Sequence, residues 1–579
     1  MERDGQALGA HGTMAGQKET HTNGPKMNLM LPCLLAASLI SLAAAAQSAP
    51  LTAVPAGQKP VIVNMAADAV VNFVLHKIEK PFGKGATREM ALAALDKEVD
   101  QYQGAGVSHL FWNVNYQRVG YNSAAWPSYW DMPDPEKQVT EWPRTYYELH
   151  KLGIDDVFAR LIPRCRERGL SPWVSLRMND HHYSSDPSRA SPLFFEHPEL
   201  RLHKGKGLFN YARPEVREHY LKLVAEVLQR YDVDGLELDW IRTPSNFEDS
   251  EINTSGRVIL TEFVREVRRQ TQAAGQRLGH PVRLAVRVPA TPELSLGKGF
   301  DTVAWAREGL LDMIIPSDWW SGYNDTPVEA WRAEIGPGAR SCQIVPGTAS
   351  TYACAAKGFM MYRNLAGMRG FAASMFDRGA DGLYLFNHFE PVDWKNRLRT
   401  PDGKSTNDCT VAELLHAAGD CAGAANFPRI HALAIHDCLP LKGDYRPALP
   451  AALAPQQPVT LKLHTGPQPA TGSYVVRVGL DKTNDLASVK LAVRLNGQAC
   501  RALDDLPLPA KPDPRLEQPR LNVCEVAPRV LQFEALLPAV VRGYNAIELS
   551  VLQGGPQTVI WLDVAIDPSA GKESATRMP

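Results

Sequence analysis

A chain of 579 residues is too long for one compact core, and two to four domains is the expected count. Its composition, 44% hydrophobic and 22% charged with a formal net charge of −1, is that of an ordinary globular protein. So small a net charge gives no electrostatic ground for nucleic acid or an anionic membrane as a partner.

Residues 1–26 are polar and Gly-rich, without periodicity. Lys26 then precedes an apolar run over 27–42 that ends in Ala43-Ala44-Ala45-Ala46-Gln47. A charged start, a short apolar stretch and small residues are the pattern of a secretory signal, with translation beginning at Met1 or at Met27. The competing reading, an uncleaved membrane anchor, needs a longer apolar run. Residues 1–49 are therefore assigned to an extension and signal. The mature protein is expected in the periplasm or outside the cell, with no stable membrane insertion.

From about residue 60, short apolar runs alternate with longer amphipathic ones. The apolar runs are 61–63, 107–114, 170–176, 233–238, 282–288, 310–315, 343–345 and 382–386. Continuous aliphatic and β-branched runs mark strands buried on both faces. The segments 88–102, 154–168, 214–231 and 257–278 carry helical periodicity, with Pro214 at one start and Gly169 past one end. Eight such units over 58–400 predict a (β/α)8 TIM barrel, α/β in class. An open doubly wound sheet would carry a Gly-rich phosphate turn after its first strand, and none is present.

Residues 401–457 read as a connector. Short alternating segments then follow at 460–464, 473–479, 489–495, 530–536, 546–552 and 558–566, separated by Gly, Pro and Asn. This is the pattern of an all-β sandwich over 458–567, followed by a polar tail at 568–579. Behind the signal stand Cys165, Cys342, Cys354, Cys409, Cys421, Cys438, Cys500 and Cys524. In an exported protein the near neighbours Cys342 with Cys354, Cys409 with Cys421 and Cys500 with Cys524 are the pairings to test, against free buried thiols. None has the doubled CxxC spacing of a zinc site, and neither metal nor cofactor is expected.

In a barrel, functional groups come from the C-terminal ends of strands and the loops that follow. The fourth run ends Asp234-Gly235-Leu236-Glu237-Leu238-Asp239-Trp240-Ile241-Arg242. Alternation turns Glu237, Asp239 and Ile241 to the interior, where two carboxylates are costly unless paired or used. Arg242 or Arg287 could pair with them in a purely structural network.

DGLELDWIR at 234–242 looks like the strand-four motif of several glycoside-hydrolase barrels. Together with WNVNYQRVGYNSAAW (112–126), SLRMNDHHY (175–183) and ADGLYLFNHFE (380–390) it resembles the bacterial family-10-like glycosyl hydrolases over about residues 60–400. The motif is also similar to the chitinase DGxDxDxE pattern but departs from it. The chitinase acid would fall at Ile241, which transfers no proton, and the first inner Asp is Glu237. The resemblance implies that Asp239 stands where retaining α-glycosidase barrels keep their nucleophile.

Glycosidic cleavage generally uses a second carboxyl. Asp318, at a strand end and followed by Trp319 and Trp320, is the first choice for acid/base, since aromatic surroundings raise a carboxyl pKa by desolvation. Glu293 is the second choice and Asp180 the third. Arg177, Asn179, Asp180 and His181 suit hydrogen bonds to sugar hydroxyls, unless Arg177 anchors Glu237 or Asp239 instead. Asn387 and His388 end the eighth run in the same way, and Trp240, Arg242 and Arg287 complete the expected substrate contacts. Trp112, Tyr116, Tyr121, Trp126, Tyr129, Trp130, Trp319, Trp320 and Tyr323 offer rings, one or two as sugar platforms and the rest as packing.

The expected activity is therefore cleavage of O-glycosidic bonds in a poly- or oligosaccharide, with Asp239 as nucleophile and Asp318 as acid/base. The alternative is a non-catalytic carbohydrate-binding or cell-surface protein on a barrel scaffold. A metal-dependent hydrolase would carry His-x-His after the first run, where Asn64-Met65-Ala66-Ala67-Asp68 stands.

Overall fold

A computed structural model describes residues 56–569, apart from 68–69, 72–85, 140, 181–183, 187–188, 204–206, 319–323, 350, 354–359, 363, 388–409, 434–447, 484 and 507–526. The predicted signal lies outside the described residues, as do His181, Trp319, Trp320, Tyr323 and His388. No helix among the described residues is long and apolar enough to cross a membrane.

The strands of the first part are β1 (Val61–Met65), β2 (His109–Asn113), β3 (Ser171–Arg177), β4 (Gly235–Asp239), β5 (Arg283–Pro289), β6 (Met313–Ser317), β7 (Gln343–Ile344), β8 (Gly347–Ala349), β9 (Thr351–Ala353), β10 (Met360–Tyr362) and β11 (Leu383–Phe386). β9 and β10 pair with each other, antiparallel. The others are joined in the order β7-β6-β5-β4-β3-β2-β1-β11-β8, every pair parallel. The two ends of this sheet are one stretch of chain, parted by Val345 and Pro346. Proline has no N–H to give to a ladder, which accounts for the break. Val345 N still donates to Ile314 O at 2.9 Å, and Tyr384 N donates to Pro346 O at 3.1 Å, so pairing runs through it. The sheet closes into an eight-stranded barrel.

A helix follows each barrel strand. In chain order these are Arg88–Asp100, Phe158–Glu167, Pro214–Arg230, Arg257–Leu278, Thr302–Arg307, Val328–Ile335, Leu365–Asp377 and Val411–Gly419. The last lies in the stretch expected to be a connector. Its Val411, Leu414, Leu415 and Ala418 join the barrel's outer core, and Lys59 N donates to Gly419 O at 2.8 Å. The barrel therefore runs past residue 400, because its eighth helix closes against β1.

Alternation sorts the strand residues into two cores. Val61, Val63, Leu110, Val174, Leu236, Leu238, Leu284 and Ile314 face outward to the helices. Ile62, Phe111, Trp173, Ala285, Met313, Ile315, Val345, Tyr384 and Phe386 fill the barrel. Phe111 and Trp173 stack with ring centroids 4.6 Å apart. The room for Trp173 comes from Gly235, where a Cβ would overlap the indole ring. Gly235→Ala therefore destabilises the protein by about 1–3 kcal/mol, the usual cost of overpacking, and thermal unfolding reads it. An unshifted midpoint would contradict this packing.

Behind the barrel, β12 (Arg429–Ala432), β13 (Ala451–Leu453), β14 (Val459–His464), β15 (Ser473–Leu480), β16 (Lys490–Leu495), β17 (Gln498–Ala499), β18 (Arg501–Ala502), β19 (Arg529–Glu534), β20 (Tyr544–Gln553) and β21 (Gln557–Asp567) form two antiparallel sheets. One has the order β12-β21-β15-β19-β18 with β13 also on β21, and the other β14-β20-β16-β17. Their inner faces share a core that includes Tyr474, Val476, Leu491, Val493, Phe533, Ile547 and Leu562, so this is a β-sandwich. It takes in β12 and β13, which the sequence texture placed in the connector, because β21 supplies their partner more than a hundred residues later.

The sandwich sits directly on the barrel. At Gly370, in the helix Leu365–Asp377, a Cβ would collide with the Ile430 carbonyl oxygen of β12. Asn324 Nδ2 donates to Ala432 O at 2.7 Å, Arg542 Nε to Asp377 Oδ1 at 2.7 Å and Tyr544 Oη to Asp325 Oδ1 at 2.6 Å. Cys342, Cys421 and Cys500 are free thiols among the described residues, and their expected partners Cys354, Cys409 and Cys524 lie outside them. Cys342 is buried in the outer core of the barrel.

Candidate active site

The register of the barrel places charged side chains in layers. Arg177 of β3, Asp239 of β4 and Arg287 of β5 are neighbours in one row, and Ser175, Glu237 and Ala285 lie in the row beneath. Glu237 and Asp239 thus enter the barrel as alternation predicts, Asp239 nearer its C-terminal end.

Asp239 is paired. Arg287 Nη1 donates to its two oxygens at 3.1 and 3.2 Å, and Ile241 N donates to Oδ1 at 3.2 Å. The other arm of Arg287 donates to Ser317 Oγ at 3.1 Å and to the Asp318 carbonyl at 2.6 Å. Its guanidinium lies 3.5 Å from the centre of the Phe386 ring, a cation–π contact. One arginine thus ties the ends of β4 and β6 to β11.

A second cluster adjoins the first. Arg177 Nη1 donates to Asp180 Oδ2 at 2.9 Å, its Nη2 to Asn387 Oδ1 at 3.3 Å, and its guanidinium stacks 4.2 Å over Tyr116. The carboxylate that Arg177 anchors is therefore Asp180, and the one that Arg287 anchors is Asp239. Asn387 stands at φ +42, a left-handed turn that asparagine tolerates better than most residues. Arg242 Nε lies 3.8 Å from Asp180 Oδ2. Burial and then Arg177 push the Arg242 guanidinium down to about 10, against the pull of Asp180.

Glu237 has no exposed surface, and its Oε2 accepts from Asn64 Nδ2 at 3.4 Å. Burial and then the charge of Asp239 push its carboxyl up to about 8. The hydroxyls of Ser175 and Tyr384 and the Arg287 charge act in the opposite direction. Both hydroxyls weigh on the carboxyl without standing in hydrogen-bonding geometry to it.

The acids at the strand ends are not open to solvent. Asp239 is 1% exposed, and Asp180 and Asp318 are 2% exposed. Glu293 is not part of the group. Thr291 caps a helix, Pro292–Gly297, that carries Glu293 away to an exposed position, beside a separate cavity of about 270 Å³ with Arg307, Trp331 and Glu334. Trp240 turns to the outer face, being adjacent in sequence to inward Asp239, and packs on Tyr211, Phe263 and Phe300. Asn179 is a staple. Its amide nitrogen donates to Phe209 O and Ser245 O, and its oxygen accepts from Phe209 N.

The rings after β2 are packing as well. Trp112, Tyr116, Tyr121, Trp126, Tyr129 and Trp130 are all buried, Trp126 stacked on His219 and Trp130 on His150. Asn64, Ser175, Ser317 and Tyr384 are members of the site that the sequence reading does not single out. Each is a polar residue at an inward position of an otherwise apolar strand, and that parity is the available signal. No group of three or more His, Cys, Asp or Glu side chains suited to a metal occurs among the described residues.

No protein-family model matches the chain, and no curated protein sequence matches it. Solved structures do match. An endo-β-1,4-mannanase from Thermotoga petrophila is 11% identical, with a TM-score of 0.40 over 88% of this chain and 98% of that one. The PgaB glycoside hydrolase domain from Bordetella bronchiseptica is 10% identical, with a TM-score of 0.37 over 60% and 96%. A noncanonic maltogenic α-amylase from Thermotoga neapolitana is 11% identical, with a TM-score of 0.33 over 85% and 99%. Similarity this distant carries nothing about chemistry.

Proposed function

We propose that the chain is an exported glycoside hydrolase that cleaves O-glycosidic bonds in a poly- or oligosaccharide, of the kind its resemblance to family-10-like glycosyl hydrolases implies. Asp239 is the nucleophile and Asp318 the acid/base. The supporting observation is the Arg287 fork, which binds the Asp239 carboxylate with one arm and the Asp318 main chain with the other. The Asp239 carboxylate and the backbone of Asp318, which follows β6, are thereby held in one network at the end of the barrel where such enzymes do their work. Arg177, Asp180, Arg242 and Asn387 border them and would contact sugar hydroxyls.

Asp239→Asn and Asp318→Asn are each expected to lower kcat/KM on a cleaved glycan by about 10²–10⁴-fold with folding retained, the range that positioned acids and bases supply. Full turnover in Asp239→Asn would end the assignment.

The same ion pair favours a second reading, a non-catalytic carbohydrate-binding protein in which Arg287 and Asp239 are structural. Binding on a glycan array without hydrolysis of any bound glycan distinguishes it.

A further inference from the structure

Glu237 and Asp239 stand two residues apart on β4, so their side chains enter the barrel one layer apart. The upper carboxylate has a cation. The lower one has none among the described residues: its Oε2 meets the neutral amide of Asn64, and its Oε1 is buried without a hydrogen-bond partner. Hydrogen bonds of Arg287 include those to Asp239, Ser317 and the Asp318 carbonyl. The titratable and charged groups that bear on Glu237 are Asp239 on its own strand, Arg287 from β5 and Tyr384 from β11, while β3 and β1 present Ser175 and Asn64. A second negative charge here would confront Asp239 with no cation of its own, which is among the costliest arrangements a protein interior can hold. Keeping the proton removes that cost.

We propose that Glu237 is a positioning residue, a neutral carboxylic acid beneath Asp239 that leaves Asp239 as the single negative charge for Arg287 to hold in place. This rests on reading Asp239 as the reacting carboxylate. Burial and the Asp239 charge, which push the Glu237 carboxyl up to about 8, act in the same sense. When Glu237 loses its proton at alkaline pH, two carboxylates compete for one guanidinium and Asp239 is drawn from its position. Turnover then falls without any group that touches substrate having titrated.

Infrared difference spectroscopy of the full chain, titrated from neutral to alkaline pH, tests the neutral acid directly. The wild type is expected to show the C=O stretch of a protonated carboxyl that fades at alkaline pH and is missing from Glu237→Gln. Tyr384→Phe removes a hydroxyl that favours the charged form, so it keeps the band and delays its loss to higher pH; this variant serves if glutamine does not pack. In turnover, the alkaline fall of kcat is expected to move up by at least about one pH unit in Glu237→Gln, a tenfold change in proton concentration, with KM unchanged. A wild type without the band, or alkaline falls that coincide in wild type and Glu237→Gln, overturns the proposal. The infrared band is read whether or not any glycan is cleaved, so failure here is told apart from failure of the glycosidase reading.

Discussion

Arg287→Met is expected to destabilise the protein by about 3–5 kcal/mol, because it strands Asp239 as a buried carboxylate without its counter-charge. Arg287 and Asp239 are 0% and 1% exposed, so water does not replace the lost partner. The substitution also removes the donors to Ser317 Oγ and the Asp318 carbonyl, and the cation over Phe386. Adding Asp239→Asn to Arg287→Met removes the stranded charge and should restore part of the loss, with a coupling of about 0.5–3 kcal/mol between the two sites. Thermal unfolding of the two single variants and the double variant reads the cycle. If the double variant is no more stable than Arg287→Met, the guanidinium is not what makes Asp239 tolerable inside the barrel. Arg287→Lys separates charge from geometry, since an ammonium cannot fork between the Asp239 carboxylate and the end of β6.

The second large effect is a stability that falls as pH rises. The Glu237 carboxyl is raised from its ordinary 4.5 to about 8 by burial and by Asp239. Between those two values the native protein holds a proton that the unfolded chain has released. The native state is therefore favoured most fully below about 4.5, loses stability through the window and reaches its full loss above about 8. At about 1.4 kcal/mol per pH unit, the total is on the order of 5 kcal/mol. Glutamine has the shape of the protonated acid and does not titrate. The melting temperature of Glu237→Gln should match the wild type at the acid end and exceed it progressively toward pH 8. Parallel melting curves across that range would sink the argument.

The barrel is legible because its strands are buried on both faces and so read as unbroken aliphatic runs. Strict alternation through Gly235–Asp239 is enough to send Glu237 and Asp239 inward. The same rule turns Trp240 outward, although its ring and its place in the motif suggest a sugar contact. Glu293 leaves the site because a capped helix begins at Pro292, and two or three residues of helix are enough to depart from the barrel mouth. Asn64, Ser175 and Tyr384 escape a reading directed at strand ends, since the layer beneath the mouth draws on residues within the strands, whereas Ser317 ends β6 and is passed over for the acid beside it. The pairing of Asp239 with Arg287 depends on register between strands, which no local pattern encodes, whereas Arg177 reaches Asp180 three residues on in its own segment. The sandwich is recognisable from its turns and alternation, but β12 and β13 bond to a strand that closes the chain, and short segments far from their partner look like linker.

The joint at Gly370 has a consequence for how such a molecule can change over generations. Where a helix and a strand touch backbone to backbone, neither surface can vary without the other, and even a methyl group is excluded. Swapping the rear module for an unrelated one would leave a groove along the helix Leu365–Asp377 shaped for one strand alone. Barrel and sandwich are thus constrained to vary together along this joint.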